Sequence, residues 1–413
     1  MGRRVLSLLL ILLVSCVPVE RKTVHTGLDV LLAERMDLVH NRRIGIISNH
    51  TAVDGNGRHI VDLLTSRSDG TVTALFAPEH GIRGDRDEDI QNGCDSRTGL
   101  PVYSLYGQTR KPTPDMLRDV DVLIFDIQDI GARFYTYIST MALAMAAAAE
   151  AEIPFIVLDR PNPVTGVRVE GPVQEDSLLC FEGPAPIPVR HGMTTGELAR
   201  MLNGEGWLEG GVCCELAVVP LTGWKRSDWF DDTGLIWMPT SPNMPDMETA
   251  AIYPGLCFLE ATTVSEGRGT DEPFKVIGAP WIDGRKLSAY MNSQEIAGVR
   301  FSEIQFTPVS LPRRADEPKY KGKRCGGVGI AVTDRNRLRS VSLGIRLICA
   351  IRDLYPAAFG WRDGDADRAR TLTGTGWIPE AIDRGDAPED IIARWQADLQ
   401  RFLTIRKKYL LYP

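Results

Sequence analysis

Apolar runs that end on carboxylates, amides and bases are the places in this sequence where chemistry could be done. Four such ends are "SNHT" from Ser48, "APEHG" from Ala77, "DIQDIG" from Asp126 and "LDRPNP" from Leu158. Together they bring Asn49, His50, Glu79, His80, Asp126, Gln128, Asp129, Asp159, Arg160 and Asn162 into consideration. Carboxylates beside hydrogen-bonding and basic groups suit general acid and base work on an uncharged bond, above all a glycosidic one. Such work needs two carboxyl groups roughly 5 to 9.5 Å apart, one protonated and one ionised. Glu79 is the foremost candidate, because its strand is apolar, Pro78 stiffens the approach and Gly81 lets a substrate come close to the backbone. For its partner, Glu170, Asp126, Asp129, Glu260 and Glu266 are alternatives that spacing along the chain does not rank.

Cationic and aromatic groups stand in similar places. Arg133 and Tyr135 follow "DIQDIGA" at the start of a long helical stretch, where a guanidinium and free backbone N–H groups could hold a carboxylate. Glu266 and Arg268 sit on the glycine-flanked loop "SEGRGT". Trp224, Trp229 and Trp237 could stack on sugar faces or pack internally.

The elements that must position these residues read as alternating strand and helix. "RRIGIISNHT", "VTALFAPEHG", "VDVLIFDIQDIG" and "PFIVLDRPNP" are too continuously apolar for strands with one wet face, so they are covered on both. Helical segments lie between them, the clearest at 133–152, whose alanine-rich half favours helix. Thr194 or Thr195 can cap "GELARML", and residues 214–221 add a strand. This alternation predicts an α/β fold with a Rossmann-like parallel sheet and ligands bound beyond the carboxyl ends of its strands. After a loop rich in Trp, Pro and Asp, a smaller α/β domain is expected, with helices at 339–355 and 388–408. The division is 25–248 for the larger, catalytic domain and 249–413 for the smaller, with a cleft between them.

A chain of 413 residues agrees with two domains, and 43% hydrophobic with 24% charged residues is globular. The net charge of −7, without a long basic run, argues against a nucleic-acid partner. There is no GxSxG elbow, HExxH helix, GxGxxG turn or Walker loop, which removes the main signs of serine hydrolases, zincins and nucleotide binders. The start, "MGRRVLSLLLILLVSC", pairs a basic end with an apolar run too short to span a bilayer. It reads as an export signal (1–15) that ends in a lipobox-like "LLVSC", with Cys16 the lipidated residue and 16–24 a tether. The other seven cysteines show no zinc spacing, and "GLCFLE" and "LICAI" place two in apolar surroundings.

At "FAPEHGIRG", "VDVLIFDIQDIGARFYTYISTM", "LDRPNP", "EGPV", "RHGMTTGELA", "MPTSPNMP", "YPGL" and "SEGRGT" the chain resembles the bacterial exo-β-N-acetylmuramidases. The resemblance runs from about residue 25 to the terminal "YLLYP". It implies an exo-acting glycosidase that removes N-acetylmuramic acid from the non-reducing ends of peptidoglycan fragments. It further implies Glu79 and Glu170 as the carboxylate pair and Arg133 or Arg268 as the grip on the lactyl carboxylate. No metal or other cofactor is called for, and the partners are a muropeptide or disaccharide substrate and a membrane reached through Cys16. The segment "QNGCDSRTG" departs from the usual pattern of relatives. Two other readings fit an exported two-domain chain: a transporter's substrate-binding lipoprotein, which needs no carboxylate pair, and an envelope hydrolase with His50, His80, Asp126 and Asp129 as metal ligands.

Overall fold

The computed structural model describes residues 23–79, 81–84 and 92–413. A seven-stranded sheet forms the larger domain. Its strands are β1 (Arg43–Ser48), β2 (Thr71–Ala77), β3 (Gly93–Cys94), β4 (Pro101–Ser104), β5 (Val122–Asp126), β6 (Phe155–Leu158) and, after a small ribbon of β7 (Glu170–Val173) and β8 (Pro188–Arg190), β9 (Leu216–Val219). The order across the sheet is β3-β4-β2-β1-β5-β6-β9, parallel throughout except at β3–β4. Because β1 pairs with β2 on one side and β5 on the other, the crossovers change direction there, and a crevice opens above Ser48 and Asp126.

The continuous apolar runs are explained by burial on both faces. Ile47, Phe76, Leu123, Phe125, Phe155 and Val157 point toward the helix Tyr137–Glu150 and its alanines. Their alternates Ile44, Ile46, Leu75, Val122, Ile124 and Ile156 point toward the helices Gly27–Glu34 and Ile60–Thr65. A period of two in side-chain direction thus serves two cores from one sheet. Thr194 is the cap of the helix Thr195–Gly204, accepting from the Glu197 N–H while the Glu197 carboxylate takes the Thr194 N–H.

The smaller domain has a three-stranded antiparallel sheet of β10 (Val276–Ala279), β11 (Val299–Phe306) and β12 (Cys325–Val332), with β12 central. The helix Ser340–Leu354 fills the expected span at 339–355. The expected helix at 388–408 is two helices, Pro388–Arg394 and Gln396–Arg406, with the buried Trp395 between them. The long helix expected from residue 133 begins only at Tyr137, and Phe134, Tyr135 and Thr136, lost from it, form part of the site. All seven described cysteines are free thiols.

Candidate active site

A pocket of about 190 Å³ lies between the two domains. The larger domain supplies Glu79, Tyr106, Phe134 to Tyr137 and Glu182, the connecting loop supplies Ser241, Asn243 and Met244, and the smaller domain supplies Tyr253, Cys257, Glu260, Arg268, Phe274 and Arg368 among others. An aromatic floor joins the domains: Tyr253 meets Phe134, Tyr135 and Phe274 edge-on, at 5.5, 6.0 and 5.0 Å between ring centres. Such edge-to-face contacts fix ring orientation beyond what area burial does.

Glu79 reaches the pocket because β2 ends at Ala77 and the next residues turn sharply. Gly81 donates its N–H to the Pro78 carbonyl at 3.1 Å with a φ of 78°, a conformation that glycine adopts without strain. The Glu79 carboxylate accepts from the Tyr106 hydroxyl at 3.0 Å and from the Thr136 hydroxyl at 3.1 Å. Burial and the Glu79 charge push the Tyr106 phenol well above its ordinary range, so it remains a proton-bearing donor.

The opposite wall is ionic. Arg268 donates to Glu260 at 2.7 Å, and Arg368 stands 3.6 Å from Glu260 and 3.2 Å from Glu182. Burial alone would raise the Glu260 carboxyl, but Arg268 and Arg368 hold it below the ordinary range. Burial disfavours the Arg268 charge, yet Glu260 and Glu266 more than offset this and push its pKa up. Glu182 is the most lightly held of the pocket's carboxylates on this side, with a side chain one-third exposed.

Of the residues singled out from sequence, Glu79, Tyr135, Glu260 and Arg268 line this pocket. Tyr135 offers its ring, since its hydroxyl donates to Thr240 at 2.7 Å. Most of the others have internal partners, because the loops beyond a covered sheet edge must satisfy their own buried polar groups. Asn49 accepts from the Thr51 N–H and hydroxyl, Asp126 is paired with Arg160, and Asn162 bridges the Met193 carbonyl and the Val164 N–H. Gln128 donates to the Asp129 and Pro161 carbonyls and lines only a small crevice of about 60 Å³. Glu266 is buried against Lys319 at 3.0 Å and supports the loop that carries Arg268.

Glu170 and Arg133 are also held by protein partners. Glu170 is not among the residues that line this pocket: it lies in β7, where its carboxylate accepts from the Ser342 N–H and hydroxyl at 2.8 and 2.7 Å, at the start of the helix Ser340–Leu354. A carboxylate at that end is favoured by the helix dipole and needs no substrate to explain it. Arg133 is fully buried and donates to the carbonyls of Pro172, Ile187 and Leu372, so it pins the turn 133–136 to the ribbon and to the smaller domain. That pinning delays the helix to Tyr137 and aims Phe134, Tyr135 and Thr136 into the pocket. The three tryptophans pack instead of lining it: Trp224 against Tyr412, Trp237 against Phe230, and Trp229 under Arg190 and Arg335. His80 and Cys16 lie outside the described residues.

Asp129 carries a pH dependence. One oxygen accepts the Gly131 N–H at 2.6 Å, the other is buried without a partner, and burial raises its pKa to about 7 from 3.8. His191, 3.9 Å away, gives no counter-charge, because burial holds its pKa down to about 3. Between these pH values the folded state binds a proton that the unfolded state releases, so this contribution is complete below pH 3.8 and is lost as pH rises through about 7. Asp159, also raised by burial to about 7, adds a slope of the same sign. Asp129→Asn is expected to flatten the fall in unfolding free energy between pH 3.8 and about 7, measured by denaturant titration. An unchanged slope would show that Asp129 is ionised in the fold.

A mostly parallel α/β domain, a second α/β domain and an interdomain pocket of carboxylates, arginines and aromatics define a two-domain, cleft-type protein built for carboxylate chemistry on a polar ligand. Residues 44–248 match the family description "Exo-beta-N-acetylmuramidase NamZ, N-terminal", and residues 251–412 match its C-terminal counterpart. The chain belongs to this exo-β-N-acetylmuramidase family. It is similar to the peptidoglycan β-N-acetylmuramidase NamZ of Bacillus subtilis (strain 168), 45% identical over 396 residues that cover 95% of this chain and 92% of the relative. Crystal structures of two DUF1343 family proteins from Bacteroides fragilis superpose with TM-scores of 0.89 and 0.78. They are 38% and 36% identical, covering 95% and 94% of this chain and 100% and 99% of theirs.

Glu182, Tyr106 and Arg368 were not found from sequence. The tripeptide Glu-Gly-Pro occurs twice, at 170–172 and 182–184, and nothing in the chain order says which copy faces the pocket.

Proposed function

We propose that this protein is an exo-β-N-acetylmuramidase that removes a terminal N-acetylmuramic acid from peptidoglycan fragments, with Glu79 and Glu182 as its two working carboxyl groups. The observation that carries this reading is Glu79 held by two hydroxyls in a small pocket that also contains two arginines. A pocket of about 190 Å³ suits one sugar residue and favours exo action. Glu260 is tied to both arginines and kept ionised, which supports Glu182 as the second group. Arg368, the more exposed arginine, with Arg268 behind it, receives the lactyl carboxylate that distinguishes muramic acid from glucosamine.

The test is turnover of a chromogenic β-muramide against the matching β-N-acetylglucosaminide. The wild-type protein is expected to act on the first and not the second. Arg368→Met is expected to raise KM for the muramide about ten- to hundredfold, the loss of one charged hydrogen-bonded contact. Equal turnover of both glycosides, or an unchanged KM in Arg368→Met, would remove this account of specificity.

The signal-like start and Cys16 support an envelope lipoprotein whose catalytic part faces the exported side of a membrane. Among the described residues no helix is long and apolar enough to cross a membrane. Cys16→Ser is expected to move the protein from the detergent phase to the aqueous phase on partitioning of expressing cells. Retention of the variant in the detergent phase would refute the anchor.

A further inference from the structure

Beside the pocket runs an open groove of about 730 Å³, lined by Arg110, Leu179, Phe181, Pro184, Trp207 and Glu209 among others. Neighbouring residues at the tip of a tight turn line the one and the other. Cys180 and Gly183 exchange backbone hydrogen bonds, each 3.0 Å, and leave Phe181 and Glu182 as the two tip residues. Glu182 lines the pocket and Phe181 lines the groove. The turn is held from behind, since the Ser139 hydroxyl donates to the Phe181 carbonyl at 2.5 Å and Arg368 donates to Glu182. Above the Phe181 ring, at 4.3 Å, lies the guanidinium of Arg110, four residues beyond the Tyr106 that donates to Glu79. Leu179 is 45% exposed on the same ledge.

We infer that this groove binds the leaving group of the glycoside: an uncharged N-acetylhexosamine on the reducing side of the scissile bond, laid on Phe181. The inference rests on the exo-glycosidase reading above. An exo enzyme encloses one sugar, and whatever is joined to it must leave past the carboxyl groups. The groove begins on the far side of one of them and has nearly four times the pocket's volume. The Phe181 ring complements the C–H face of a pyranose, and the exposed Arg110 and Asp176 supply polar contacts for hydroxyl and acetamido groups. Charge selects the occupant. Arg110 stands with Asp176 and Glu209, and Glu209 is itself paired with Lys111 at 3.0 Å, so the groove lacks the cationic excess that an acidic peptide would require.

The experiment compares two substrates of the full chain: the disaccharide of N-acetylmuramic acid β-linked to N-acetylglucosamine, and β-muramyl fluoride, whose leaving group is one atom. Phe181→Ala is expected to raise KM for the disaccharide roughly three- to tenfold with kcat nearly unchanged. Both constants for the fluoride should stay within about twofold, and Phe181→Tyr should keep the wild-type KM. An equal effect on both substrates would mean that the turn had merely displaced Glu182, and no effect on the disaccharide would mean an empty groove; either overturns the proposal. If the wild type hydrolyses neither substrate, the glycosidase reading fails separately. The groove is then decided by titrating methyl β-N-acetylglucosaminide against the Trp207 indole signal, where binding lost in Phe181→Ala supports it and binding absent or unaltered refutes it.

Discussion

Glu79→Gln is expected to lower kcat for muramide hydrolysis by about 10²- to 10⁴-fold, the range for removing a positioned acid or base, while leaving the unfolding midpoint unchanged. The amide is nearly isosteric and keeps one oxygen for the Tyr106 or Thr136 hydroxyl, so the pocket wall is preserved. What it removes is the capacity to carry a proton or a negative charge where the glycosidic bond breaks. The three pocket glutamates should not respond alike. Glu182→Gln should also lower kcat, since it loses the carboxylate beside Arg368. Glu260→Gln should act mainly on stability and KM, because it leaves Arg268 and Arg368 facing each other without their shared counter-ion. Steady-state kinetics of the three variants, with denaturation curves for each, separate these effects. A Glu79→Gln protein that turns over at the wild-type rate would remove Glu79 from the chemistry.

The sheet was legible because "IGIIS", "VLIFD" and "FIVL" are apolar without alternation, which only a strand covered on both faces tolerates. Glu79 and Arg268 were legible because each stands where a regular element gives way to glycine. The remaining strand-end residues were legible as polar and converging, but not as inward-facing. Asp126 finds Arg160, 34 residues away, and Gln128 finds Pro161, 33 residues away, only when β5 and β6 lie side by side. Glu182 depends on a turn closed by backbone hydrogen bonds and held by the Ser139 hydroxyl, and on Arg368, 186 residues along the chain. Glu170 shows the converse. Its Gly-Pro sequel reads as a loop opening into the cleft, whereas the helix Ser340–Leu354 has placed its own first turn over that carboxylate.

Gly255→Ala is expected to cost about 3 kcal/mol or more of stability, well above the usual effect of a single methyl. A Cβ at Gly255 would lie 1.7 Å from the Ser340 carbonyl oxygen, and one at the facing Gly344 would lie 2.2 Å from the Gly255 carbonyl oxygen. Both obstacles are backbone, so no side chain can swing aside. The helices Met247–Leu256 and Ser340–Leu354 must separate instead, which opens the core around Leu256, Val341 and Ile345. The pocket cannot be indifferent to that movement. Tyr253 lies two residues before Gly255 and forms the aromatic floor, while Cys257 and Glu260 follow it into the pocket lining. Lower stability should therefore come with a higher KM in the fraction that remains folded. Gly93→Ala is the matched control, because a Cβ there meets nothing within 4 Å, and it should shift unfolding by no more than about 0.5 kcal/mol. Denaturant curves of the two variants decide the matter: equal midpoints would mean that the two helices do not cross backbone to backbone, and that the pocket's floor is held by its rings alone.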